Sequence, residues 1–296
     1  MVTKINTQHK FIDSGLSQSN KVAYSNTDEY LAFCDYLEET SGITLGANKT
    51  YLVKNRLRPI LSAHGVETLA DAMKKIKGGV DPKLNLEIID AMTTNETSWF
   101  RDQYPFEYLR DELLPNLKGK RMVTPKIWSA ACSHGHEAYS ISMVIDEYTS
   151  KNPGAFPSDI QIVGTDISSR VIKSASTAEY DRLSIARGLS EERKKKYFTK
   201  ADNENYKLIS KIKNRVRFQY LNLLEHYSSI GKFDIIFCRN VLIYFSKENK
   251  SAIIEKFAKA LNHDGVLILG ASETVSNYSK AFEMVKCKRG VVYRHF

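Results

Sequence analysis

The chain has 296 residues, 42% of them hydrophobic and 26% charged, and carries a formal net charge of +9. That suits about two domains of ordinary soluble globular composition, at ~100–200 residues each. No apolar run approaches the ~20 residues of a membrane span, and Met1-Val-Thr-Lys-Ile-Asn leads into no signal core, so neither membrane insertion nor secretion is expected. The cysteines Cys34, Cys132, Cys238 and Cys287 are scattered without a C-x-x-C pair. This disfavours a disulfide framework or zinc knuckle and fits a reducing cytoplasm.

The positive excess is local. Residues 181–220 carry 12 basic and 5 acidic side chains, whereas residues 1–90 are balanced at 11 of each. The basic stretch includes Arg193-Lys-Lys-Lys196. A second cluster, Lys49, Lys54, Arg56 and Arg58, lies where no acid occurs between Glu39 and Glu67. Such clusters suit an anionic nucleic acid, membrane or protein partner, or a solvated basic face.

In chain order, residues 1–25 are polar and aperiodic and read as a mobile tail. Thr27-Asp-Glu opens a helix as an N-cap followed by acids. A second helix starts at Thr50, with Pro59 as a kink or break, and a third spans Leu69–Ile76, ended by Gly78-Gly79. The pattern stays helical through residues 84–115. A helical domain over 26–88 and an α/β domain over 89–296 are expected.

After Lys118-Gly-Lys the rhythm changes. Strands are expected at Ile127–Ala131, Ile160–Asp166, Val216–Leu221, Phe233–Cys238, Gly265–Gly270 and around Val291–Tyr293. Helices at Glu137–Tyr148, Arg170–Ser176 and Ser251–Leu261 fall between them. The alternation predicts an α/β domain with a mostly parallel sheet. Residues 190–215 interrupt it: Tyr197-Phe-Thr and Tyr206-Lys-Leu-Ile flank the polar turn Ala201–Asn205, which reads as a small antiparallel insertion.

Ligands of an open α/β sheet sit beyond the carboxyl ends of its strands. The first strand runs into Ser129-Ala-Ala-Cys-Ser-His-Gly135, small residues that admit a ligand to the backbone before a helix start. The next three strands end at Asp166, Asn222-Leu223 and Arg239-Asn240. An acid about 30 residues past the first loop suits a ribose diol and argues for a nucleoside. G-x-G-x-x-G, the P-loop and G-x-S-x-G are all absent, which removes the usual dehydrogenase, P-loop and α/β-hydrolase readings. His134 and His136 lack partners for a metal site and read as a surface loop. No metal is expected.

Several segments together resemble the CheR family of S-adenosylmethionine-dependent methyltransferases, which esterify glutamates of chemotaxis receptors. They are Thr93-Thr-Asn-Glu-Thr-Ser-Trp-Phe-Arg-Asp102, Trp128-Ser-Ala-Ala-Cys-Ser-His-Gly-His-Glu-Ala-Tyr-Ser140, Gly164-Thr-Asp-Ile167, Asn222-Leu-Leu224, Phe233-Asp-Ile-Ile-Phe-Cys-Arg-Asn-Val-Leu-Ile-Tyr-Phe245 and Gly270-Ala-Ser-Glu273. The resemblance covers roughly residues 27–296. It implies a small all-α N-terminal domain followed by a Rossmann-like methyltransferase domain with a small antiparallel β insertion. It departs from the common family pattern at His134-Gly-His-Glu-Ala-Tyr-Ser and at Trp99-Phe-Arg-Asp102.

The resemblance also implies roles. Asn95 and Thr97 would meet the methionine end of S-adenosylmethionine, and Arg101 would lie between cofactor and substrate. Ala130 to Gly135 and Glu137 would border the cofactor. Asp166 would take the ribose hydroxyls, Asn222 and Leu223 would flank the adenine, Arg239 and Asn240 would close the floor, and Tyr244 would reach the substrate. The product would be S-adenosylhomocysteine. Lys49, Lys54, Arg56 and Arg58 would steer an acidic receptor surface, with Arg193–Lys196 as a second contact. The partners would be cytoplasmic chemoreceptor domains met by a monomer, with no nucleic acid. The short, glycine-free turn 201–205 implies independence from a receptor C-terminal pentapeptide tether.

Two rivals stand against this reading. The charge suits a nucleic-acid methyltransferase, but no Asn/Asp-Pro-Pro-Tyr/Phe motif appears. A non-catalytic cofactor-sensing scaffold is opposed by the presence of Asn95, Arg101 and Tyr244.

Overall fold

The computed structural model describes residues 27–46, 48–118, 124–201 and 204–296. The tail expected over residues 1–25, and Asp202-Asn203 of the expected turn, lie outside the described residues.

The first helices are α1 (Thr27–Ser41), α2 (Thr50–Ala63), α3 (Leu69–Lys77) and α4 (Pro82–Met92). The starts of the last two are written in the sequence. Thr68 accepts the Asp71 N–H to open α3, and Asp81 accepts the Leu84 N–H to open α4, with Pro82 in its first turn. Phe33, Leu37, Leu57, Leu61, Leu69 and Ile88 are buried in one core. Pro59 stays inside α2 without ending it. Met92 belongs to the same core, so the helical unit extends through 92 rather than stopping at 88.

Residues 93–103 are irregular where a helix was expected. The chain then forms α5 (Tyr104–Tyr108), a π-helical turn over Leu109–Leu113 and α6 (Leu114–Leu117). The α/β domain follows as β1 (Lys126–Ala130), α7 (His136–Lys151), β2 (Gln161–Asp166), α8 (Ser169–Thr177), β3 (Glu179–Tyr180), α9 (Arg182–Ala186), α10 (Glu191–Tyr197), β4 (Phe198–Lys200), β5 (Tyr206–Leu208), α11 (Ser210–Lys213), β6 (Val216–Tyr220), β7 (Phe233–Cys238), α12 (Lys247–Ala260), β8 (Leu261–Leu269), β9 (Phe282–Cys287) and β10 (Gly290–His295).

The main sheet runs β6-β2-β1-β7-β8-β10-β9. The first five strands are parallel, and β10 is antiparallel to both β8 and β9. Successive strands leave β1 in one direction and β7 in the other, so the order reverses between these two. That is where a ligand crevice is expected in such sheets. The buried strand β7, Phe-Asp-Ile-Ile-Phe-Cys, is an unbroken buried run, as a central parallel strand should be. The insertion is a three-stranded antiparallel sheet, β3-β5-β4, and β3 places its start at Glu179 rather than 190.

Candidate active site

A cleft enclosing about 1000 Å³, open solvent at its mouth included, lies beyond the carboxyl ends of β1, β2, β6 and β7. Asn95, Thr97, Arg101, Glu137, Asp166, Asn222, Leu223, Arg239, Asn240 and Tyr244 all line it. The sequence-expected residues thus converge from distant segments on one space. Ala130 is the exception. Strand alternation puts it on the face of Trp128, inside the core with Cys238, and Ala131, Cys132 and Ser133 line the cleft instead. Ala131 and Ser133 adopt left-handed φ of 57° and 51°, so this loop curls tightly around the cleft.

Asp166 is buried at the end of β2. Its carboxylate accepts the Ser133 and Ser168 N–H groups, each at 2.9 Å. Burial pushes its pKa up despite these bonds. Each oxygen keeps a lone pair for another donor, which suits a sugar diol.

Arg239 organises the opposite wall. Its buried guanidinium pairs with Asp102 at 2.6 Å and Glu137 at 3.0 Å and donates to the Arg101 carbonyl at 2.7 Å. Glu137 also accepts the Ser129 hydroxyl at 2.8 Å. Asp102 is therefore engaged by Arg239, and the Arg101 side chain makes a long bond of 3.3 Å to the Glu96 carbonyl. Arg239 Nε and Asn240 Oδ1 are buried without a partner. The floor thus retains one donor and one acceptor, as an amino-acid group carrying carboxylate and ammonium requires. Together with Asp166, these residues fit a nucleoside joined to an amino acid, which is the make-up of S-adenosylmethionine.

Sequence reasoning missed a wall. Ser41, the last residue of α1, and Ile43, just beyond it, line the cleft. The Thr44 N–H donates to the Tyr244 carbonyl at 2.9 Å, and the Asn222 amide donates to the Thr40 carbonyl at 2.7 Å. Asn222 also accepts the Leu224 N–H at 3.0 Å, so its side chain braces the wall as well as lining the cleft. Gly42 has φ +77°, and a Cβ there would run into the Phe245 ring. A glycine after a helix reads as an ordinary cap, which hid this role.

His136 corrects the surface-loop reading. Its ring is buried against Trp99 at 4.6 Å and Tyr180 at 4.9 Å, and burial pushes its pKa down to about 3. It is a neutral core group at any physiological pH.

The basic clusters divide. Arg56 is half-buried and its Nη1 donates to the carbonyls of Ala91, Met92 and Thr93 at 3.1–3.2 Å, which closes the carboxyl end of α4. This bonding withdraws Arg56 from the surface. Lys49, Lys54 and Arg58 are exposed. In the insertion, Arg193 pairs with Glu147 and lies 3.8 Å over Phe100, Lys194 pairs with Glu191, and Lys196 and Lys211 both pair with Asp146. Much of that local excess charge therefore fastens the insertion to α7. Among the described residues, no helix is long and apolar enough to cross a membrane.

Comparison with known proteins covers both parts of the chain. Residues 28–93 match the all-alpha domain of CheR methyltransferases, and residues 95–291 match their SAM-binding domain. The chain is 45% identical over 266 residues to chemotaxis protein methyltransferase 1 of Vibrio cholerae, covering 90% of this chain and 96% of that one. It is 45% identical over 273 residues to chemotaxis protein methyltransferase 1 of Pseudomonas aeruginosa, covering 90% and 97%. Identity to the chemotaxis protein methyltransferase of Salmonella typhimurium is 31% over 273 residues, covering 91% of each.

Proposed function

The chain belongs to the CheR methyltransferase family, and as an S-adenosylmethionine-dependent methyltransferase of chemotaxis, we propose, it forms methyl esters on glutamate side chains of cytoplasmic chemoreceptor domains. We include in this reading action as a monomer in the cytoplasm and independence from a receptor C-terminal tether. The short, glycine-free sequence Ala201-Asp-Asn-Glu-Asn205 supports the last point.

One observation carries the choice of glutamate. The carboxylates at the cleft are engaged, Asp166 by two backbone N–H groups, Glu137 by Arg239 and Ser129, and Glu96 by Arg187. Arg101 and Tyr244 present donors there instead. Such a site favours an acceptor that arrives already deprotonated. A glutamate side chain, with an ordinary pKa of about 4.3, does so at neutral pH, whereas an amine needs a base.

S-adenosylmethionine supplies an electrophilic methyl on a positively charged sulfur. The chain's residues then bind and orient. Asp166 would hold the ribose, and Leu223 would border the adenine. Asn95, Thr97, Arg239 and Asn240 would hold the amino-acid end. The Arg101 guanidinium and Tyr244 hydroxyl would aim the substrate carboxylate for in-line attack, where alignment alone is worth several kcal/mol, roughly 7–11 at its best. Too tight a grip would stabilise the ground state, so both groups orient more than they neutralise. Lys49, Lys54 and Arg58 on and beside α2 would meet an acidic receptor helix.

The test is peptide mass spectrometry of a receptor cytoplasmic domain after incubation with enzyme and S-adenosylmethionine. Methyl groups on glutamate that mild base removes are expected. Methyl groups confined to lysine or to backbone termini would overturn the reading.

A further inference from the structure

The turn that follows β7 brings Asn240 and Tyr244 to the cleft, and a residue outside the cleft grips its backbone. Asn240 has φ +58°, a left-handed conformation that few residues other than glycine adopt readily and that asparagine tolerates. Its N–H donates to Glu273 Oε2 at 2.8 Å, and the Val241 N–H donates to Glu273 Oε1 at 3.0 Å. The Gly270 N–H joins them, donating to Oε2 at 2.7 Å. One buried carboxylate beyond β8 thus accepts three backbone donors. A Cβ at Gly270 would lie 2.7 Å from Oε2 and 2.9 Å from the Asn240 nitrogen, so this approach needs glycine. At the far end of the turn, the Tyr244 carbonyl accepts the Thr44 N–H at 2.9 Å. Glu273 itself does not line the cleft.

We propose that Glu273 is a positioning residue for methyl transfer: its carboxylate holds Asn240 left-handed and so sets the direction in which the 240–244 turn presents Tyr244. Hydrogen bonds from backbone N–H groups to an ionised carboxylate are roughly twice as strong as neutral ones, so the clasp is rigid. Rigidity matters here because a misplacement of about 1 Å at a reacting centre costs about 100-fold in rate. The kinetic part of this inference rests on the glutamate-methylation reading above; the structural part does not.

The test uses the full chain with Glu273→Gln, Glu273→Ala and Glu273→Asp. Hydrogen exchange of residues 239–246 is expected to quicken in Gln and Ala while residues 233–238 of β7 keep their protection. Affinity for S-adenosylhomocysteine should fall far less than kcat, by about threefold, because Asn240 is one cofactor contact among several and Asp166, Leu223, Asn95 and Thr97 lie on other loops. The kcat for receptor methylation should fall about 10-fold in Gln and about 100-fold in Ala, with receptor KM little changed, and Asp should recover part of the loss. Unchanged exchange in residues 239–246 would overturn the proposal. So would kcat and cofactor affinity falling by the same factor, since that marks a general loss of structure. If the wild-type chain methylates no receptor glutamate, the substrate reading fails, while the exchange data still decide whether Glu273 holds the turn.

Discussion

The side-chain amide of Asn222 donates to the backbone carbonyl of Thr40 at 2.7 Å, across 182 positions of sequence. This bond makes the end of α1 a wall of the cleft, so the helical domain helps to build the cofactor site. Asn222→Asp would set a carboxylate against that carbonyl and leave it unsatisfied, at a cost of about 1–3 kcal/mol. The variant should unfold at lower temperature, and its affinity for S-adenosylhomocysteine should fall about 10-fold by calorimetric titration. Wild-type affinity in the variant would mean that the wall does not shape the site.

Arg239 carries a heavier load. Arg239→Ala would strand two carboxylates, Glu137 within the site and Asp102 nearer solvent. Breaking a buried pair by removing one partner costs about 3–5 kcal/mol, and the solvent access of Asp102 puts this case toward the lower end. Arg239→Lys should fail nearly as badly, since an ammonium cannot span both acids and the Arg101 carbonyl. Urea unfolding checks the stability loss. A loss under about 1 kcal/mol would show that the acids find other partners.

The sequence disclosed the domain order, the central strands and most of the cleft, because those depend on local signals. Strand β7 could be bounded to the residue, being a run apolar but for Asp234 between Lys232 and Arg239-Asn240. The polar residues at strand ends marked the site because the topology gathers strand ends together. What stayed hidden depends on distant partners. Nothing near Arg56 says that it closes α4, nothing near Thr44 says that it bonds Tyr244, and nothing near Arg193 announces Glu147. Strand β9 was missed because its faces are half-exposed and lack a clean alternation. The break over residues 93–103 was missed because helical patterns flank it on both sides, while its two large apolar side chains, Trp99 and Phe100, pack into the core of the α/β domain. His136 looked exposed because histidine beside glycine suggests a loop, yet Trp99 and Tyr180 enclose it.

His64 supplies a pH-dependent signature in the helical domain. Its two ring nitrogens meet Asp81 at 2.7 Å and Glu87 at 3.0 Å, and the hydrogen bonds to these acids, Asp81 first, raise its pKa. Protonated His64 therefore contributes stability in full below its unfolded pKa of about 6.5, and that contribution is lost as pH rises through the raised folded value. Asp81 and Glu87 have lowered pKa values, so their share is present above about pH 4 and is lost on acidification. The difference in melting temperature between wild type and His64→Gln should be largest near pH 5–6 and shrink by about pH 9. A difference that grows toward alkaline pH would contradict the assignment.

Within the basic cluster of α2, neighbouring basic residues do different work. Arg56→Ala should lower stability by about 1–3 kcal/mol, because three carbonyls at the end of α4 lose their donor. Lys54→Glu with Arg58→Glu should leave cofactor affinity alone, raise receptor KM several-fold and flatten its salt dependence. Steady-state kinetics at two ionic strengths separates the two classes. An unchanged KM in the charge-reversed variant would remove α2 as the docking surface.

The most direct measurement is transfer of radiolabelled methyl from S-adenosylmethionine to chemoreceptor cytoplasmic domains, with and without a C-terminal pentapeptide, scored as base-labile label. Base-labile label is expected on both at similar rates, lost in Arg101→Ala and strongly reduced in Tyr244→Phe. Label on the tailed receptor alone would contradict the untethered mechanism. Base-stable label, or cofactor binding with no label on any receptor, would contradict glutamate esterification itself.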